Sequence, residues 1–126
     1  MYKFSFKIKI FNKKATKLNK ENCKIDWTKP AVEIYNLIRG LSPYPSAWCF
    51  ISDKNEEWNV KIHEAKMTLE PHNYAIGSLI CSKKEIKIAV RDGFIQVLSL
   101  QFPGKKKMNT PEFLNGVTFS EIAKAY

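Results

Sequence analysis

The chain has 126 residues, enough for one domain, or one domain with an arm, and for a core that needs no disulfide or metal. An apolar share of 44% and an aromatic share of 13% exclude a disordered or low-complexity protein. Twenty-one Lys+Arg against twelve Asp+Glu leave +9, which points to polyanions or an anionic surface, while no apolar run approaches the ~18 residues of a membrane span.

The charge is uneven. Residues 1–30 hold nine Lys against Glu21 and Asp26, residues 31–82 are slightly acidic, and residues 83–126 hold eight basic against four acidic side chains. If the fold brings the two ends together, one face is basic.

Residues 2–10 alternate Tyr2, Phe4, Phe6, Ile8 and Ile10 with Lys3, Ser5, Lys7 and Lys9, which predicts a strand with an apolar and a basic face, not the unbroken apolar stretch of a secretory signal. Such a strand invites pairing, so it is expected either to join its own barrel or to form a dimer with a second copy, and not to be a free tail. Residues 11–24 lose the pattern, and the division expected is a basic arm over 1–24 and a globular domain over 25–126. Ile34, Leu37, Ile38 and Leu41 then fall on one helical face, with Thr28 as the expected N-cap, Pro30 in the first turn and Pro43 and Pro45 as the stop.

Strands are predicted at Ala47–Ser52, Trp58–His63, Ile76–Cys81, Glu85–Val90 and Phe94–Leu100, with a hairpin signal at Arg91-Asp92-Gly93. A tight PGKKK turn follows. Thr110 as cap and Pro111 at the first position open a short helix that closes at Asn115-Gly116, and Phe119–Tyr126 reads as a last helical turn or a loose tail. These elements define a mainly β fold: a small, open, antiparallel barrel with a helix before it and a short helix after it.

Catalytic signatures are thin. No Gly-rich phosphate loop, nucleophile elbow or His-carboxylate cluster occurs, and the odd set Cys23, Cys49 and Cys81 lacks metal or disulfide spacing. Neither His63 nor His72 belongs to a metal-type pair. Asp26, just before the helix, suits the positive end of the helix dipole. The expectation is thiols in a reducing compartment, no metal, no catalytic residue, and no enzyme in this chain alone. Lys13, Lys14, Lys17, Lys20 and Lys24 in the arm, and Lys105, Lys106 and Lys107 in one turn, are the phosphate-contacting candidates. Trp27, Tyr44 and Trp48 are candidates for stacking on bases, although their places beside a helix end and a PYP turn favour core packing.

From residue 15 onward the sequence resembles the carboxy-terminal domain of methionyl-tRNA formyltransferases. The resemblance is carried by KLNKENCKIDWTKPAVEIYNLIRGLSPYPSAW at 17–48, RDGFIQVLSLQ at 91–101 and GKKKMNTPEFLNG at 104–116. It implies a Greek-key barrel resembling an OB fold that helps bind initiator tRNA in the cytoplasm during translation initiation. It also implies a separate Rossmann-like domain that holds 10-formyltetrahydrofolate and the catalytic Asn, His and Asp, with formylation of methionyl-tRNA as the reaction. The catalytic motif has no counterpart here, so this chain is expected to be the tRNA-side part, without cofactor.

Carried over by position, Lys17 and Lys20 match basic linker positions, Arg39 the basic position before SPYP, and Lys105 and Lys106 the GKK turn. Ser46 stands where many relatives have Gly, and the YKFSFKIKIF start departs from the usual linker. Two other readings remain: a structural barrel of a related formyl-transfer enzyme, which needs no basic face, and a stand-alone OB-like nucleic-acid-binding protein, which needs exposed aromatics on its strands.

Overall fold

The computed structural model describes residues 21–126, so the expected strand at 2–10 and the arm positions Lys17 and Lys20 lie outside the described residues. After a 3-10 turn at Glu21–Cys23 come α1 (Ala31–Leu41), β1 (Ala47–Asp53), β2 (Glu56–Leu69), β3 (Leu79–Cys81), β4 (Ile86–Val90) and β5 (Gly93–Gln101). The chain ends with β6 (Met108–Asn109), α2 (Thr110–Leu114) and β7 (Lys124–Ala125). The sheet order is β3-β4-β5-β2-β1-β7, with β6 added to β5, and every strand pair is antiparallel. This is the mainly β barrel with a helix on either side that the sequence predicts.

β7 nearly closes the barrel. On one side Ala125 pairs with Ile51 and Lys124 with Ser52 of β1, and Phe50 and Tyr126 exchange backbone hydrogen bonds at 3.0 and 2.9 Å. On the other side Lys124 bridges Ser78, and Ala125 N–H donates to the Gly77 carbonyl at 2.7 Å. Gly77 has φ +92°, and a Cβ there would lie 2.3 Å from the Ala125 carbonyl oxygen, so any side chain would push the closing strand away. The tail expected to be helical or loose is therefore a strand. Its two-residue length carries no periodicity to read.

β2 changes partner along its length. Its residues 56–62 pair with β1 and its residues 61–69 with β5, so Lys61 and Ile62 alone are paired on both sides. The register shifts after Ile62 and again after Glu64, leaving His63 as an extra residue on β2 and Leu98 as an extra residue on β5. Buried positions on β2 are Val60 and Ile62 before the shift, with Ala65 and Met67 packed against the core after it. That change of phase explains why alternation predicts a strand ending at His63 rather than at Leu69. At Ile76–Cys81 the expected strand is shorter, because Ala75–Ser78 is a turn closed by Ser78 N–H to the Ala75 carbonyl at 3.1 Å.

The core comprises fully buried Ile25, Ile51, Val60, Ile62, Ile86, Ile88, Ile95, Val97 and Leu100, covered by Ile34 and Ile38 of α1. Each such side chain contributes about 1.5–3 kcal/mol by leaving water. Phe102, Phe113, Phe119 and Trp58 form an aromatic cluster, with Phe102 and Phe113 centroids 4.6 Å apart.

Both helix caps differ from expectation. Thr28 does not cap α1; its N–H and hydroxyl donate to Asp26 at 3.0 and 2.6 Å in a local turn. The first free N–H of the helix, at Ala31, donates instead to Asp92 Oδ1 at 2.9 Å, a carboxylate on the β4–β5 hairpin. In α2 the cap is Asn109, which accepts from Glu112 N–H at 2.9 Å, while the Thr110 hydroxyl donates to the Val97 carbonyl at 2.6 Å. A partner distant in sequence leaves no local signal.

Asp53, at the end of β1, holds the closing segment. It accepts from the Ser120 hydroxyl and, at 2.8 Å, from Ser120 N–H, and these bonds hold its carboxyl below the ordinary Asp range despite burial. A depressed folded-state pKa gives stability that is full above the unfolded value of about 3.9 and is lost as pH falls through the folded one. Asp53→Asn is therefore expected to be less stable at neutral pH and to show a shallower loss of stability below about pH 4. Urea unfolding across pH measures both, and an unchanged acid slope would count against this role.

Candidate nucleic-acid interface

Two turns flank β2 where it changes partner. The first follows α1. Helix α1 ends at Leu41, whose carbonyl accepts Ser46 N–H at 2.9 Å, and Pro43, Tyr44 and Pro45 loop out between them. The Ser42–Pro43 and Tyr44–Pro45 peptides are both cis. Arg39 lies in the last turn of α1, exposed, with its Nε donating to Asn36 at 2.8 Å and its guanidinium 5.5 Å from the Tyr35 ring centroid.

The second turn follows β5. Phe102 is buried in the aromatic cluster, Pro103 fixes the next φ, and Gly104 takes φ +74°, the positive value that the third position of a type II turn requires. Lys105 N–H closes it on the Phe102 carbonyl at 3.1 Å. Lys105, Lys106 and Lys107 follow as three exposed side chains on an anchored backbone.

A chain of polar groups joins the turns through the bulge. Gln101 Nε2 donates to the Lys105 carbonyl at 3.0 Å, which leaves Gln101 Oε1 facing His63 Nε2 at 3.0 Å. His63 Nε2 therefore carries a proton and donates it. The Ser46 hydroxyl has one proton to share between the Pro43 carbonyl at 2.7 Å and His63 Nδ1 at 3.3 Å. His63 is 6% exposed. A buried polar group of this kind is costly unless satisfied, so the network fixes both turns relative to β2.

Across the sheet the register places Trp48 of β1, exposed Lys61 of β2 and Gln101 of β5 side by side. Lys24 enters beside β1 through an Ile25 N–H to Trp48 carbonyl bond of 2.8 Å, and its ammonium sits 5.8 Å from the Trp48 ring centroid and 5.9 Å from that of Phe50.

Of the sequence-predicted residues, Arg39, Lys105, Lys106 and Lys107 thus stand on the two joined turns. Lys24 is partly committed to aromatic rings, and Lys17 and Lys20 lie outside the described residues. Trp27 and Trp48 are core residues, as expected; Tyr44 is not, at 86% exposure. Sequence reasoning missed Lys61, although its alternation with Val60 and Ile62 marks it as outward, and it missed the linking roles of Ser46, His63 and Gln101, which belong to three different elements.

Among the described residues, no three His, Cys, Asp or Glu side chains gather as a metal site. An open groove of about 570 Å³ beside Cys81, Lys83, Leu114 and Phe119 has no carboxylate or imidazole in its lining. Burial raises the Cys23 thiol, pushes Cys49 up to about 12, and with the Asp53 charge pushes Cys81 up to about 11, so none is a ready nucleophile at neutral pH. No described helix is long and apolar enough to cross a membrane.

The fold is of the small antiparallel barrel class, and comparison with known proteins supplies the family. Residues 17–118 match the formyl transferase C-terminal domain, and the chain belongs to that family. It is 68% identical over 114 residues to the methionyl-tRNA formyltransferase of Flavobacterium johnsoniae and 62% identical over 114 residues to that of Flavobacterium psychrophilum, each alignment covering 90% of this chain and 36% of the relative. The methionyl-tRNA formyltransferase of Bacteroides thetaiotaomicron is 47% identical over 109 residues, 85% of this chain and 34% of its own length. The chain therefore spans about a third of the length of the curated relatives it matches.

Ser46 has φ +80°, a backbone region that glycine occupies without strain and serine only at a cost. Its hydroxyl contacts repay that cost. Ser46→Gly relieves the backbone and loses the hydroxyl, whereas Ser46→Ala keeps the strain and loses the hydroxyl as well. The glycine variant is expected to be more stable than the alanine variant by about 1 kcal/mol, and the alanine variant less stable than wild type by about 1–3 kcal/mol. Urea midpoints rank the three proteins; alanine at or above glycine would contradict the argument.

Proposed function

We propose that this chain is the tRNA-contacting part of a methionyl-tRNA formyltransferase, a cytoplasmic enzyme that formylates initiator methionyl-tRNA with 10-formyltetrahydrofolate. In this reading the formyl donor and the catalytic groups belong to the remaining two-thirds of the longer relatives. The observation that carries it is the Ser46–His63–Gln101–Lys105 chain, which holds the Arg39–Tyr44 turn and the Lys105–Lys107 turn on either side of exposed Lys61. Rigidly mounted lysines meet phosphates as point charges and position an RNA without reading its bases. The stand-alone single-strand-binding reading is less well supported, because the exposed Tyr44, Tyr74 and Tyr126 all lie outside strands.

Each phosphate neutralised changes the slope of log K against log salt by about 0.7–0.9. Replacing Lys105, Lys106 and Lys107 with Ala is expected to flatten that slope by roughly one to two units and to weaken different tRNAs nearly equally. Replacing Lys17 and Lys20 is expected to act in the same direction. Salt titrations of tRNA binding test this, and an unchanged slope in both variants returns the domain to a structural role.

Formyl transfer to methionyl-tRNA by the purified chain is expected to stay at the background of the uncatalysed reaction. Activity that copurifies with the chain through successive columns would overturn this assignment of the chemistry to the other part.

A further inference from the structure

Tyr44 is 86% exposed, the most of any large apolar side chain described, with Ile122 next at 70%. Single exposed aromatics are ordinary, so exposure alone decides nothing. The surroundings do. Tyr74 packs against His72 and Phe94 with centroids 5.8 and 6.0 Å away, and Tyr126 packs against Phe50 at 5.6 Å. Tyr44 has no such ring neighbour among the described residues.

Its mounting is stiff. Pro43 and Pro45 fix the backbone on both sides, Ser46 N–H ties the end of the turn to Leu41, and the Ser46 hydroxyl holds the Pro43 carbonyl and touches buried His63. The backbone entropy of ordering this turn is thus largely spent before any ligand arrives, and only the ring's own rotation remains to be fixed. Two sets of cations are tied to this turn: Arg39 lies in the last turn of the helix that leads into it, and Lys105–Lys107 follow at the far end of the polar path through Ser46, His63 and Gln101. An exposed aromatic ring on a fixed turn, tied through that path to a cationic turn, matches a nucleotide, with phosphate for the cations and a base for the ring.

We propose that Tyr44 stacks on an unpaired nucleobase of an RNA whose phosphates lie along Arg39, Lys61 and Lys105–Lys107. The proposal rests on the RNA-binding reading above and adds to it a contact with a base, which lysines at phosphates do not supply. Base stacking tolerates any sequence but requires a base free of its helix, so Tyr44 selects for single-stranded loops or ends over paired stems.

The test uses the full chain and two RNA probes of equal phosphate count: a stem with an unpaired overhang and a blunt duplex. Tyr44→Ala is expected to weaken overhang binding roughly 5- to 150-fold, to leave duplex binding unchanged, and to leave the salt slope as in wild type. Tyr44→Trp is expected to retain the preference. Equal effects on both probes, or no effect on the overhang probe while wild type binds with its salt slope intact, overturn the stacking role and leave the phosphate reading standing. Wild-type protein that binds neither probe overturns both. Because the ring is solvent-exposed, unfolding midpoints of the three proteins should coincide, which separates lost stacking from lost fold.

Discussion

An antiparallel sheet of this size leaves two edges whose backbone groups need partners, and Ala123–Tyr126 satisfies both. The β1 edge and the stretch before β3 each receive hydrogen bonds from this short segment, while Asp53 fixes its approach through Ser120. An unpaired edge is both a loss of hydrogen bonds and an invitation to associate with another chain.

Much of the fold is legible from local pattern. Ile34, Leu37, Ile38 and Leu41 mark a helical face, and α1 buries Ile34, Ile38 and Leu41 while Leu37 packs at the margin. The hairpin at Arg91-Asp92 and the turn at Pro103-Gly104 follow from residue types whose backbone preferences act within a few positions. What escapes is everything specified at a distance. Asp92 caps α1 from sixty-one residues away, His63 leaves the ladder because β5 carries a matching extra residue, and two residues of β7 have no period.

The candidate interface divides in the same way. Lysine clusters are visible as composition, but composition does not say that Lys105 shares a rigid frame with Tyr44. That knowledge resides in three side chains on separate elements. Ser46, His63 and Gln101 are small in charge and unremarkable in sequence, yet together they convert two independent loops into one platform. Long lysine side chains keep their own freedom on such a platform, so cost in entropy remains at their tips while the backbone beneath is already ordered.

The paired irregularities on β2 and β5 have a topological consequence. One extra residue on each strand cancels in the count, so the strands stay aligned from end to end, while each shifts by one the sequence positions that face the core. Without both residues, Val60, Ile62, Ala65 and Met67 of β2 and Ile95, Val97 and Leu100 of β5 would alternate unbroken on the same core side, in a regular ladder with no inward imidazole to bridge the turns. The paired irregularity thus inserts a polar side chain at the crossing point and leaves the apolar face of either strand where a regular strand would have it.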